Sequence, residues 1–361
     1  MHASHHYAQG KILSGDGLAS DRLTSAYGQV LAGMSVSVWR KRPARGNVPS
    51  DLPSDSCLTP ISMTESVPKP VRPGIAPAGL FYLAVTSVGW GFNWPATKYL
   101  LSQLPPLTLR GGTGVVGALL LTLLAIMRGQ SLRVPSEMWP RLVLASLLNV
   151  TGWMVLMGLA LVFLPASETA LIAYTMPVWA SVLAWPVLGE RPTLLRALAL
   201  VLAFAGLLAI MGGNGLAASV AKLPGIIMAL VGSFGFAVGT VLAKRWPLKM
   251  PSFSAAAWQI GIGCAPVALA GLLLETAHVD AVTPVGWLVL VYSTVVQFCI
   301  AYVCWFAALA RLPASVAAIG TMAVPVIGVV VSAIALHEPL GPGQIAALVL
   351  TLAAVALATR S

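Results

Sequence analysis

From Pro77 onward the chain is a succession of apolar stretches, each about as long as the roughly 20 residues a helix needs to cross a bilayer. The predicted spans are 78–101, 106–127, 141–163, 165–187, 192–212, 223–243, 252–274, 284–309, 313–335 and 342–359. In hydrocarbon a helix satisfies its own backbone hydrogen bonds, which few other structures do. Connections this short leave no soluble domain. The expected fold class is all-α integral membrane, with ten transmembrane helices.

Charge supports that reading. The chain is 58% apolar and only 9% charged, against about 45–50% and 25% in soluble domains. Residues 1–75 carry eight of the 21 basic and five of the 11 acidic residues, so the remaining 286 hold 13 basic and six acidic. A surface in water cannot be covered with so few charges, whereas one in lipid can. A net charge of +10 would suggest nucleic acid in a soluble protein. Here the basic residues sit singly or in pairs between apolar runs, so they set topology and no nucleic-acid partner is expected. With the N-terminus inside, the cytoplasmic connections hold Arg128, Arg133, Arg141, Arg191, Arg196, Lys244, Arg245, Lys249, Arg311 and Arg360. The opposite side has Lys98, Arg110 and Lys222. This positive-inside bias places the chain in the inner (plasma) membrane with both termini cytoplasmic.

Residues 1–75 are rich in Ser, Pro and Gly without periodicity, and are expected to be a disordered tail. Met63 opens a short polar lead into the first apolar run, which suggests a natural start there and an upstream start-site extension; a functional tail is the other reading. His2, His5 and His6 on such a segment make a poor metal site. Cys57, Cys264, Cys299 and Cys304 have no paired spacing, so neither a metal nor a disulfide framework is suggested. No cofactor is expected.

The chain also repeats itself. Over 164–190 against 312–338, ten of 27 positions are identical without a gap, including Leu164-Pro165-Ala166-Ser167 with Leu312-Pro313-Ala314-Ser315, Pro177-Val178 with Pro325-Val326, and Glu190 with Glu338. The fourth helix thus corresponds to the ninth. An offset of five, being odd, turns the two halves upside down relative to each other. Inverted repeats place a substrate site between the halves, near the midplane. His337 stands where the first half has Gly189, which reads as tolerated loop variation.

Trp90-Gly91-Phe92-Asn93, then Pro105-Pro106 followed by Arg110, then the 164–192 segment, resemble the drug/metabolite transporter superfamily in its EamA branch. The second half follows with Phe234-Gly235-Phe236, Trp258-Gln259 and His337-Glu338-Pro339. The resemblance spans about 77–360, as one five-helix EamA repeat over 77–212 and a second over 223–360. It implies a ten-helix basket around a central cavity, exporting amino acids, metabolites or xenobiotics, often with a proton gradient as the coupling partner.

Intramembrane polar residues are the place to look for such a site, since each costs energy unless it faces the bundle interior. Arg110, near the start of the second helix, is placed to bind a carboxylate; the structural reading is an interfacial anchor. Lys98 suits snorkelling to the interface. Glu168 is a proton-coupling candidate, although a carboxylate in the first turn of a helix also complements its dipole. Glu190 and Glu338 read as helix-end residues. Asn149 with Trp153, Gln297 with Trp305, and Trp90, Asn93 and Thr97 form amide-plus-aromatic stripes suited to an amphipathic solute; interhelical packing is the competing reading. Tyr174 and Gln259 are candidates of the same kind. Pro95, Pro177 and Pro325 are gating flex points or static kinks.

The small-molecule transporter reading has one rival, an integral-membrane enzyme such as a lipid-linked transferase. That would need clustered acidic, His or Lys side chains at the membrane face, and the six acidic residues after position 75 are scattered. A channel fits the internal duplication less naturally. No Gly-Lys-Ser/Thr phosphate loop is present for an ATPase.

Overall fold

The computed structural model describes residues 77–189, 193–212, 215–312, 316–317 and 320–360. The N-terminal tail with Met63 and Cys57, Glu190 and Arg191, and Pro313 to Ser315 of the repeat lie outside the described residues. All regular structure within them is helical. We label the helical runs α1 (Pro77–Leu100), α2 (Pro106–Met127), α3 (Ser136–Phe163), α4 (Ala166–Leu188), α5 (Leu194–Gly212), α6 (Gly215–Arg245), α7 (Ser252–Leu274), α8 (Pro284–Leu309), α9 (Ala323–Ala335) and α10 (Pro342–Arg360). By length and composition α2, α3, α4, α6, α7 and α8 can each cross a membrane. Shorter apolar helices cover Leu194–Ala209, Ala323–Ala335 and Pro342–Leu357. With 24 residues, α1 is long enough to span, but Asn93 and Lys98 lower its hydropathy. The chain is a multi-pass membrane protein.

Pairing between the helices is regular. α2 lies along α7, and α5 along α10. α1 packs on α8 and α9, while α6 packs on α3 and α4. Glycine permits the closest of these approaches: a Cβ on Gly111 would run into the backbone of Val267 and Ala268, and one on Gly271 into Thr108. Gly112 beside it faces open space.

Three helix starts follow one device. Pro105, Pro165 and Pro251 stand at the N-cap positions of α2, α4 and α7, and proline has no side-chain acceptor for the first-turn N–H groups. Each cap is therefore brought in from far along the chain. The Glu275 carboxylate accepts from Leu107 N and Thr108 N at 3.0 and 2.7 Å. Glu338 accepts from Ala166 N and Ser167 N at 2.6 and 3.0 Å. Gln130 Oε1 accepts from Phe253 N and Ser254 N at 3.1 and 3.3 Å. So Glu338 does complement a helix start, but that of α4 and not the helix that follows it.

Proline also breaks α4. The helix turns at Tyr174 and Thr175, just before Pro177. A proline cannot donate to the carbonyl four residues back, here that of Ala173. Ser233 Oγ of α6, whose shortest bond is to Ala229 O of its own helix at 2.8 Å, lies 3.3 Å from this oxygen and 3.1 Å from that of Ile172, and its one hydrogen is shared among the three. The second half breaks at the corresponding place, though there the serine bonds the carbonyl five residues before the proline. A turn at Thr321 and Met322 precedes Pro325, and Ser87 Oγ of α1 donates to Gly320 O at 3.2 Å. Two further irregularities are π-helical turns, Leu147–Thr151 in α3 and Tyr292–Ile300 in α8. His337 and Gly189 both have positive φ, +53° and +75°. The variation at this position thus places a side chain on a left-handed turn that glycine fits without strain.

Two stability measurements follow, both read as the melting temperature of the detergent-solubilised protein. Glu338→Ala should destabilise by about 1–3 kcal/mol, and Glu338→Gln by less because an amide oxygen still accepts. Gly111→Val should cost about 1–3 kcal/mol through overpacking against α7, with Gly112→Val close to neutral. Equal melting temperatures for the two glycine variants would refute the close α2–α7 contact.

Candidate functional site

Arg110 lies on the first turns of α2 and is 5% exposed. Gly158 of α3 makes room for its stem, since a Cβ there would meet Arg110 Cγ at 3.0 Å. Its guanidinium carries five N–H donors. One of them, on Nη1, reaches Thr97 Oγ1 at 3.5 Å, a long bond, and the buried Nε has no partner. Thr97 Oγ1 donates in turn to Asn93 Oδ1 at 3.3 Å. Among the described residues Arg110 makes no ion pair. A buried cation left uncompensated costs several kcal/mol, so this arrangement suits an incoming anion.

Other charges in the region are compensated. Lys98, expected to snorkel outward, turns onto the end of α3, where its Nζ donates to Leu161 O and, at 2.9 Å, to Leu164 O. Those carbonyls are the negative end of a helix dipole. Glu168 is 1% exposed and both its oxygens are engaged by Lys222 Nζ, at 2.7 and 2.9 Å; Gln344 Nε2 adds a contact of 3.3 Å. This pair ties the starts of α4, α6 and α10 together. Sequence reasoning placed Lys222 in a loop and did not pair it. Its one signal was being a lone basic residue on the side poor in charge.

The aromatic candidates fall into two groups. Trp90 packs on Trp305 and Tyr302, with ring centroids 5.6 and 5.8 Å apart. Trp153 packs on Trp94 at 6.2 Å and on Phe236 at 4.9 Å. Asn149 and Gln297 lie in the two π-helical turns, 148 residues apart, the same offset as the repeat. Asn149 Oδ1 is buried without a partner, and Gly239 of α6 leaves the space it fills. Gln297 and Gln259 are half-buried. The π turn, bonded i to i+5, shifts the register that a regular helix would give Gln297 and Trp305. Tyr174, at the break in α4, packs on the same apolar cluster as Trp153, around Met157, Leu161 and Leu171. Sequence reasoning did not single out Trp94 or Tyr302 and saw Phe236 only as part of a motif; one helical turn from Thr97 and Trp305, the first two were within reach of the stripe argument.

Two apolar clefts, one around Trp179 and Phe204 and one around Leu144 and Trp246, contain none of these candidates. Cys264, Cys299 and Cys304 are unbridged. Among the described residues no group of three or more His, Cys, Asp or Glu is placed to hold a metal ion.

A sequence model described as the EamA-like transporter family matches the chain twice, over residues 77–212 and 223–360. The uncharacterised transporter YvbV of Bacillus subtilis (strain 168) is 31% identical over 275 residues, covering 76% of this chain and 89% of that protein. A probable amino-acid metabolite efflux pump of Salmonella typhimurium is 27% identical over 283 residues, 76% of this chain and 92% of that protein. A crystal structure superposes with a TM-score of 0.58 at 22% identity, covering 78% of this chain and 96% of that one, a likeness of fold.

The Glu168–Lys222 pair makes a prediction of its own. In a double-mutant cycle with Glu168→Gln and Lys222→Met, thermal stability should show a coupling energy of about 0.5–3 kcal/mol. Strict additivity would mean the pair does not hold the helix starts together.

Proposed function

The chain belongs to the EamA-like transporter family, and from that premise we propose that it is a secondary or facilitative exporter working by alternating access. Its cargo is drawn from amino acids, small metabolites and xenobiotics. One observation carries the site: Arg110 is buried, unpaired with any carboxylate among the described residues, and joined to Asn93 through Thr97. A solute carboxylate would supply the missing partner in bidentate form. Asn149, Trp153, Tyr174, Gln259 and Gln297, with the Trp90–Trp305 pair, would line the path around it.

The architecture we propose is ten transmembrane helices in two inverted five-helix repeats, 77–212 and 223–360, enclosing a central cavity. Packing favours this: α1 on α8 and α9 is matched by α6 on α3 and α4, each helix replaced by the one five places along. Ser233 on Ile172 O and Ser87 on Gly320 O are likewise matched, their acceptors 148 residues apart. Both termini lie in the cytoplasm and the membrane is the inner (plasma) membrane. Residues 1–75 are a tail outside this unit. Glu168, tied to Lys222, serves in our reading to hold the outer end of the bundle, and any coupling to a proton gradient is assigned elsewhere.

In proteoliposomes the purified protein should move carboxylate-bearing solutes. Arg110→Ala should lower that flux about tenfold or more at unchanged expression. Arg110→Lys should restore it in part, since an ammonium keeps the charge but loses the planar fork. Undiminished transport by Arg110→Ala would return Arg110 to an anchoring role. Reporter fusions at residues 130 and 246 should be cytoplasmic and one at residue 277 should not.

A further inference from the structure

We propose that the solute bound at Arg110 is an organic monoanion: a carboxylate on an apolar body, without an ammonium group. This rests on the reading of Arg110 as the carboxylate site and narrows its substrate class. The argument is a balance of charges around the site. A zwitterion brings a cation of its own, whose burial requires an acceptor, best a carboxylate. The described acidic residues are all accounted for. Glu168 is held by Lys222 and Gln344. Glu275 and Glu338 cap the starts of α2 and α4. Glu137 lies exposed in the 3-10 turn that begins α3, and Asp280 lies exposed in a short turn between α7 and α8. The carboxylate nearest in sequence to Arg110 on the second-half side, Glu275, is thus spent on backbone N–H groups.

Neutral acceptors do not replace it. Asn93 Oδ1 already accepts from Thr97, and although one lone pair is left, a neutral amide does not balance the charge of a buried ammonium. Asn149 Oδ1 is unpartnered, but it lies nine residues along α3 from Gly158, against which the Arg110 stem packs. At about 1.5 Å per residue that is roughly 13 Å along the helix. The amino nitrogen and carboxyl carbon of an α-amino acid share one carbon, so they stand only about 2.5 Å apart. In this reading Arg110 and Asn149 stand too far apart for the adjacent carboxylate and ammonium of an α-amino acid to meet both. A longer monoanion can meet both. Trp153, between Asn149 and Gly158 on α3 and packed against Trp94 and Phe236, offers its apolar body a ring to lie against, and Asn149 Oδ1 accepts from a distal hydroxyl or N–H.

Three solutes of one shape test this by charge alone: 3-(4-hydroxyphenyl)propionate, tyrosine, which adds the amino group, and tyramine, which keeps the amine and lacks the carboxylate. Efflux from proteoliposomes would be followed at about pH 8, where the acid is ionised and does not leak across as the neutral form. We expect the propionate to move about tenfold faster than tyrosine, a difference of about 1.4 kcal/mol, and tyramine not to move above protein-free vesicles. Arg110→Ala should abolish the propionate flux, and Arg110→Lys should keep the order of preference, which separates recognition from folding. Tyrosine moving as fast as the propionate, and losing that flux in Arg110→Ala, would overturn the monoanion inference while leaving Arg110 as a carboxylate site. Flux of either solute that Arg110→Ala leaves unchanged, or no flux at all, would overturn the site reading and the inference with it.

Discussion

A helix start exposes N–H groups that the helix itself cannot pair, and this chain begins three of its helices behind a proline with nothing to offer them. Acceptors must come from elsewhere, and they come across the molecule. Glu275 and Glu338 in the second matched segment cap α2 and α4 in the first. Gln130 in the first caps α7 in the second. These bonds join residues 123 to 172 positions apart. Neither segment supplies these acceptors to itself, so the bonds that complete the helix starts also tie the two segments together. A carboxylate suits this task because it meets two N–H groups at once and complements the positive end of the dipole.

The same constraint explains what was legible in the sequence. Lipid demands long apolar helices, and the predicted spans 106–127, 252–274 and 284–309 coincide with α2, α7 and α8. Partners were not legible. Nothing near Glu338 says that its carboxylate serves Ala166 and Ser167, and local pattern pointed to the adjacent helix. Lys222 looked like a loop charge because Glu168 is 54 positions away. The π turns have no sequence signal either, since they change the hydrogen-bond register and leave the apolar pattern intact. Arg110 was legible because a cation in an apolar run stands out. Its lack of a partner was not, as that depends on where every other charge settles.

That lack is informative because the neighbouring cation is treated so differently. Lys98 leaves the interface to sit on the terminal carbonyls of α3, where the helix supplies partial negative charge for an ammonium. Arg110, buried against α3 where Lys98 is only half-buried, finds Gly158, which offers space and no charge. Fold requirements alone would be met better by an apolar side chain there, since replacing a buried ion by a well-packed hydrophobe is often neutral or stabilising. An uncompensated guanidinium is what remains when the compensating group belongs to the ligand.

The irregular backbone lies where such a ligand would act. Asn149 and Gln297 occupy π turns, and Tyr174 sits on the break in α4. A regular helix resists change because each of its bonds is supported by its neighbours. A turn braced by a serine from another helix, as Ser233 reaches Ile172 O and Ala173 O with a hydrogen it shares with Ala229 O and Ser87 donates to Gly320 O, depends on at most one side-chain hydrogen bond worth about 1 kcal/mol. Under the proposed rocking of the halves these are the bonds that can be exchanged at small cost, because both join a helix of one half to a broken helix of the other. The capping bonds at the helix starts also cross between the halves, but each engages two N–H groups, and those of Glu275 and Glu338 are charged, so they hold more firmly. The motion should therefore pivot on the caps and bend at the breaks, which brings the change in shape to the level of Tyr174.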